Sequence, residues 1–352
     1  MPKQNIIDWI SDPSTCFLIG CGCSKCASKP LMEDLTEKVK GKLSDNGKTL
    51  LDSIRGSHER SANVEDLITH LLRLRDLITK LKDPVPDEWT VDAIDDEIKT
   101  IKISIVKSIG TAWEYSETHS RFLRRLVGQR ARKTCDLFCL NYDTLLESNL
   151  EHLKFSYTDG FQGAENAYFD PSLFTNETDT SPFFRVFKLH GSLNWVRDEK
   201  ETIRRRPSND IDDDQRIVIY PCEQKYLLTQ YGVYETLLDL FRKRLRKHYP
   251  NNKLITLGYS YGDEHINLAI EDSIRDSSSN LTVYSFVGPE TNIDNQIDRF
   301  STISGRCHNR FNVAIGSDHF IGEGLDSSEW ETVKTLDLWK FENLVNLIAG
   351  GA

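Results

Sequence analysis

Three short strings carry side chains whose types suit chemistry on a bound small molecule: Gly20-Cys21-Gly22-Cys23-Ser24, Asn141-Tyr142-Asp143 and His190-Gly191-Ser192. The histidine string ends an apolar run, Val186-Phe187-Lys188-Leu189, that reads as a strand. In open α/β sheets the carboxyl ends of strands border the ligand crevice. A histidine placed there titrates near neutral pH and can take or give a proton. Gly191 lets the backbone turn sharply and lets a ligand come close. Asn141 and Asp143 follow a second strand-like run, Leu137-Phe138-Cys139-Leu140, and the glycine string follows a third, Cys16-Phe17-Leu18-Ile19. One strand-end histidine is weak ground for a site. Three such strings in one chain are stronger.

A sheet must hold these strings, and the chain has the pattern for one. After Cys16–Ile19 and the glycine turn, Pro30 suits the first turn of a helix, with Leu31, Leu35 and Val39 at helical spacing. Strand, glycine turn and helix form the opening of a nucleotide-binding unit. The chain then turns helical instead of returning to the sheet. Asn63 can cap a helix, with Asp66 placed to complete a loose capping box. Val64, Leu67, Ile68, Leu71, Leu72 and Leu74 share its inner face. Pro84 and Pro86 break the pattern, and Ile94, Ile98, Ile101, Ile105, Ile109 and Trp113 recur as a second long helix. Phe122, Leu123, Leu126 and Val127 suggest a shorter one.

The sheet resumes at Leu137, and a helix starts at Thr144. Residues 158–182 and 198–214 read as loops, and Ile217–Tyr220 as a strand closed by Pro221. A helix is predicted from Tyr226 to His248, with Leu227, Leu228, Tyr231, Leu237, Leu238, Phe241 and Leu245 inside. Leu254–Leu257, Thr282–Val287 and Phe311–Ile315 are further strands, and Ile266, Leu268, Ala269 and Ile270 mark a helix after Asp263. Alternating strands and helices imply an α/β fold: a Rossmann-like, doubly wound, mostly parallel sheet with a helical insertion subdomain. The expected division is a catalytic domain of residues 1–32 and 131–320, a helical subdomain at 33–130, and a C-terminal helical segment at 321–352. That last segment carries Trp330, Val333, Leu336, Trp339, Phe341 and Leu344, a pattern that suits a core helix first and an interface second.

Composition bounds the partners. The net charge of −10 over 352 residues argues against a general nucleic-acid binder. The basic runs Arg204-Arg205-Arg206 and Arg242-Lys243-Arg244 read as solvated faces rather than phosphate tracks. No apolar run reaches the roughly 18 residues of a membrane span. The start, MPKQNIIDWISDPSTC, lacks a basic stretch followed by an apolar one, so the expected location is cytoplasmic. Of eight cysteines, only Cys23 and Cys26 form a C-x-x-C pair; a zinc ribbon needs two, and no metal site is expected.

Small residues gather behind the predicted strands, as GCGCS, NYD, HGS, GYS, GPE and GSD. Any one of these is explained as a turn; together they mark one sheet edge. A hydride-transfer fold is excluded at the first turn. Lys25 stands where G-x-G-x-x-G wants its third glycine, and helix rather than strand follows. No G-x-x-x-x-G-K-[ST] loop occurs either.

The order GxGxS, NxD, HG and GxS resembles the sirtuin-like family of NAD-consuming enzymes. FLIGCGCSK, CLNYDTLLE, FKLHGSLNW, LITLGYSYGDEHIN and the helical NVEDLITHLL are similar to its prokaryotic branch, which couples to antiviral defence. The likeness covers residues 15–290. It implies that Gly20, Gly22 and Ser24 cradle the pyrophosphate. It implies that Asn141 holds the nicotinamide ribose or the attacking water, and that Asp143 orients that group or the nicotinamide amide. Tyr142, Gly191 and Ser192 belong to the same binding turns. His190 would be a general base or would polarise a ribose hydroxyl. Gly258 and Ser260 would contact the adenosine side. Asp263 would join them, or only cap the next helix.

Two departures from the family stand out. Cys21 and Cys23 replace the usual alanines of the glycine turn, and the zinc ribbon on which an acyl-lysine peptide docks has no counterpart. Water is then the natural nucleophile, and the implied activity is an NAD⁺ glycohydrolase giving nicotinamide and ADP-ribose, with NAD as substrate. The resemblance further implies a toxic effector that acts by NAD⁺ depletion in antiphage defence. Its implied assembly is a homo-oligomer, or a complex with a HerA-type ATPase or a short Argonaute. Two alternatives stay open: a non-catalytic module that senses NAD or ADP-ribose, and an NAD-dependent protein deacylase or ADP-ribosyltransferase.

Overall fold

The computed structural model describes residues 2–54, 62–80, 89–128, 132–175, 182–200, 202–216, 232–249, 251–276, 278–324, 330–331 and 334–350. The predicted strand Ile217–Tyr220 with Pro221, the helix start at Tyr226 with Leu227, Leu228 and Tyr231, and Pro84, Pro86 and Val333 lie outside these residues.

Twelve strands form two sheets among the described residues. They are β1 (Thr15–Ile19), β2 (Cys135–Cys139), β3 (Tyr157–Thr158), β4 (Phe161–Gln162), β5 (Ala167–Phe169), β6 (Phe184–Lys188), β7 (Trp195–Arg197), β8 (Ile203–Arg205), β9 (Lys253–Leu257), β10 (Thr282–Val287), β11 (Phe311–Ile315) and β12 (His319–Ile321). The large sheet runs β12-β11-β10-β9-β1-β2-β6-β3. All its pairs are parallel except the edge pair β11/β12. From β1 the chain builds outward through β2 and β6 on one side, then through β9, β10 and β11 on the other. That is the doubly wound, Rossmann-like order, with its reversal between β1 and β9.

The strands are buried on both faces, so alternate residues feed two cores. Cys16 and Leu18 pack with the helices Val233–Leu245, Glu264–Arg275 and Ile293–Arg306. Phe17 and Ile19 pack with Pro2–Ser11, Glu117–Val127, Leu145–His152 and Phe341–Ile348. The C-terminal segment is therefore split: Phe341, Leu344, Val345 and Ile348 are core, and a separate short turn spans Lys334–Leu336. Leu268, predicted inside its helix, is 51% exposed, while Ile266, Ala269 and Ile270 are buried.

The helices Met32–Lys40, Asp45–Ser53, Val64–Lys80 and Val91–Ile109 share a third core of their own. Asn63 caps the third as expected: its Oδ1 accepts from the N–H groups of Glu65 and Asp66, and its own N–H donates to Asp66. Pro30 precedes the first of these helices, whose cap is Leu31. Gly110, at φ +81°, ends the fourth, so Trp113 falls beyond the helix and is 58% exposed. Within 33–130, helix Glu117–Val127 packs with the sheet rather than with this lobe.

The stretches read as loops at 158–182 and 198–214 contain β4, β5 and β8, which join β7 in a four-stranded antiparallel sheet, β4-β5-β8-β7. Its buried face is Phe161, Ala167, Trp195 and Ile203. The basic run in β8 is engaged internally: Arg204 pairs with Asp198, Arg205 with Asp159, and Arg206 donates to Asn166.

At the amino end of the large sheet, buried Asp136 is held by two arginines. Arg185 Nε donates to its Oδ1 at 2.5 Å and Arg244 Nε to its Oδ2 at 2.8 Å. Burial alone raises the carboxyl pKa, but the two guanidiniums outweigh it and hold the group below 3.8. The stability this carries is complete above the unfolded value and is lost as pH falls through the lower folded one. Asp136→Asn is expected to cost about 2 kcal/mol at pH 7. The deficit should shrink below pH 3.8, as urea melts of both wild type and variant at pH 7 and below pH 3.8 would show.

Candidate active site

The reversal lies between β1 and β9, the place where open α/β sheets bind ligands, and three glycines form the floor there. Gly22 N donates to Gly258 O at 2.9 Å, and Gly20 N to Leu257 O at 2.8 Å. A Cβ on Gly20 would stand 2.4 Å from Gly258 O, and one on Gly258 would stand 2.4 Å from Cys23 N. Gly258 also has φ +60°, a conformation that L side chains rarely adopt. The post-β1 and post-β9 turns therefore touch backbone to backbone. Their glycines supply close approach, because the N–H groups of Gly20 and Gly22 are already used between the turns.

Ser24 lies on the short 3₁₀ turn Cys21–Ala27 and is 2% exposed. Its hydroxyl donates to Asp143 Oδ2 at 2.7 Å and accepts from Asn141 Nδ2 at 2.8 Å. The second Asn141 Nδ2 hydrogen goes to Gly20 O at 3.1 Å. A carbonyl only accepts, so this pair fixes which way the Asn141 amide points. Its Oδ1 is then left buried, accepting no hydrogen bond among the described residues. Such an atom costs about 1–3 kcal/mol unless something donates to it. Asp143 Oδ1 accepts from Leu145 N at 3.1 Å, tying the same carboxylate to the start of helix Leu145–His152.

β2 pairs with β6 in register Cys139↔Lys188, so Asn141 and His190 follow neighbouring strands at matching positions. Gly191, at φ +89°, turns the chain directly behind the histidine. Tyr142 O then accepts from Leu193 N at 2.9 Å and Ser192 Oγ at 3.4 Å, which laces the two turns together. The Tyr142 side chain and Leu193 pack on the helical lobe, which thereby rests on both turns.

His190 is 3% exposed, and its Nε2 lies 3.8 Å from Asp263 Oδ1. Asp263 holds the cap position of helix Glu264–Arg275, yet its side chain makes no capping bond. His265 is a third member that the motifs did not single out; its ring centroid is 5.5 Å from that of His190. Its position in the first turn of a helix gave no cue. Ser260 is exposed beyond Gly258. The proposed site residues thus fall into two linked groups: Gly20, Gly22, Gly258, Ser24, Asn141 and Asp143, and beside them His190 with Asp263.

The C-x-x-C pair is part of the packing under this floor. Cys23 is buried in the core, and Cys26 Sγ donates to Cys23 O at 3.2 Å. Burial raises both thiols above their ordinary pKa. Among the described residues no group of three or more His, Cys, Asp or Glu is arranged to hold a metal ion, and no helix is long and apolar enough to cross a membrane.

Residues 137–304, just under half the chain, match the family model described as SIR2-like domain. Over that span, which holds the end of β2, β3 through β10 and the Asn141, His190 and Gly258 turns, the chain is similar to sirtuin-like domains. Domains of that kind use NAD. No curated protein matches the chain.

Proposed function

We propose that this protein is an NAD⁺ glycohydrolase that cleaves NAD⁺ to nicotinamide and ADP-ribose. The observation that carries the reading is the buried Oδ1 of Asn141, which accepts no hydrogen bond among the described residues and stands beside the two locked glycine turns. A dinucleotide fits this feature, because Oδ1 can accept from a ribose hydroxyl or from the attacking water. When bound, NAD⁺ supplies a cationic nicotinamide that departs as a neutral molecule, so no strong general acid is needed. Positive charge then builds on the ribose as in glycoside hydrolysis.

Ser24 and Asp143 act behind Asn141. Between them they hold its amide so that only the acceptor is left without a hydrogen bond among the described residues. His190 takes the proton of the attacking water, and Asp263 orients the ring and stabilises the charge it gains. Gly258 and Ser260 border the adenosine side. We assign the toxic step of an antiphage defence system to this activity, through NAD⁺ depletion, with a homo-oligomer or a HerA-type ATPase or short Argonaute as the assembly. The support for this assignment is the ordered motif set of the sequence. Size measurement of the active enzyme tests it, and a strictly monomeric active enzyme without partners overturns it.

The purified protein, with any partner it needs, is expected to release nicotinamide and ADP-ribose one for one. Asn141→Ala is expected to slow release by about 100-fold or more, the cost of a misplaced reactant. Stoichiometric binding without nicotinamide release would favour the sensing alternative, and turnover that depends on an acyl-lysine peptide or labels a protein would favour the transferase one.

A further inference from the structure

The β6 strand that leads to His190 carries a lysine where the sheet is buried on both faces. Lys188 is 1% exposed, and its neighbour across β2 is Cys139, itself buried. The Lys188 ammonium donates to the carbonyl oxygen of Asp143. It also stands 3.5 Å from Glu147 Oε1, on the helix that the Asp143 side chain starts. Glu147 is equally buried, and its Oε2 has no partner among the described residues. A desolvated ammonium in a parallel sheet is costly unless it is paired. Burial alone would pull the lysine pKa down, but Cys139, Glu147 and Asp143 together hold it above its ordinary value.

These contacts converge on one place. Asp143 is gripped at its carboxylate by Ser24 and Leu145 N, and at its backbone carbonyl by Lys188. Asn141 depends on Ser24, and Ser24 on Asp143. Lys188 lies two residues before His190 on the same chain segment. A single side chain therefore spans from the histidine strand to the asparagine turn.

We propose that Lys188 is a positioning residue, which fixes the Asn141–Asp143 turn relative to His190 through the Asp143 carbonyl, with Glu147 holding its ammonium in place. The proposal rests on the reading of this crevice as the NAD⁺-cleaving site. It concerns geometry, so it is testable without turnover. Lys188→Met keeps the length and burial of the side chain and removes the donor.

Two measurements on the full chain decide it. In hydrogen exchange read by mass spectrometry, Lys188→Met is expected to speed exchange at least tenfold in the peptide holding Asn141–Asp143. The peptide of helix Ile293–Arg306 is expected to stay as in wild type. In kinetics, kcat is expected to fall 10- to 100-fold while NAD⁺ affinity changes less than threefold, and Glu147→Gln is expected to reproduce a milder form of both. Unchanged exchange at the turn overturns the proposal, whatever the enzyme does. Equal losses of affinity, kcat and remote protection also overturn it, because the lysine is then a general stability element. If Lys188→Met does not fold, the same two readouts on Glu147→Gln decide. Failure of the glycohydrolase reading looks different: wild type releases no nicotinamide while the exchange result at the turn still stands.

Discussion

His190→Ala is expected to slow NAD⁺ cleavage by 10²–10⁴-fold, the usual contribution of a positioned general base. That is about 3–5 kcal/mol of barrier. The ring lies at the end of β6, 3% exposed, with Asp263 Oδ1 3.8 Å from Nε2. This arrangement suits proton transfer, because the neighbouring carboxylate stabilises the charge that the ring acquires. His190→Gln separates the two tasks the sequence left open. Glutamine keeps an N–H donor and similar bulk but cannot take a proton at neutral pH. If His190 only steadies a ribose hydroxyl, the glutamine variant should lose less than about tenfold. If it abstracts the proton, glutamine and alanine should be equally impaired, with NAD⁺ affinity near wild type in both. Initial rates of nicotinamide release, beside a titration of binding, give the answer. Wild-type rates in both variants would remove His190 from the chemistry.

Much of this geometry was legible because parallel strands are buried on both faces and so read as continuous apolar runs. Cys16–Ile19, Leu254–Leu257, Thr282–Val287 and Phe311–Ile315 were each found within a residue of the observed strand. The small antiparallel sheet was not legible. Its strands are two or three residues long, too short to show a period of two, and they sit among charged and turn residues. Leu268 and Trp113 continued apolar patterns that the fold does not bury. One points out of its helix, and the other lies past the glycine that ends its helix.

The site shows the same division. Asn141, Asp143, Ser24 and His190 were visible as residue types at strand ends. Which atom of Asn141 is left without a hydrogen bond among the described residues was not, since that depends on Ser24 and Gly20 arriving from another strand. The Ser24 hydroxyl was expected at a phosphate, whereas it is engaged between Asn141 and Asp143. Lys188 lay in plain view inside a strand string, but a strand lysine ordinarily reads as an edge or solvent residue. Only the fold shows that it is buried beside the asparagine turn, paired across from Cys139.

Gly258→Ala is the second large effect. The added Cβ would meet Cys23 N at 2.4 Å, Gly22 C at 2.8 Å and Gly22 Cα at 2.9 Å. All three are backbone atoms, so no side chain can swing away. The residue would also keep φ +60°, which costs an L side chain about 1–2 kcal/mol. Overpacking adds about 1–3 kcal/mol, for a destabilisation of about 2–5 kcal/mol in sum. Relief requires the post-β9 turn to move off the post-β1 turn, which breaks the Gly22 N to Gly258 O bond. That movement also shifts Gly20, whose carbonyl holds the Asn141 amide. Stability and chemistry should therefore fall together. Gly262→Ala is the control, because its Cβ would meet only Ser260 Oγ, at 3.8 Å. Thermal melts and NAD⁺ titration of the two variants make the comparison. A Gly258→Ala protein that melts and binds like wild type would show that the two turns are not locked together, and the glycine floor would lose its place in the site.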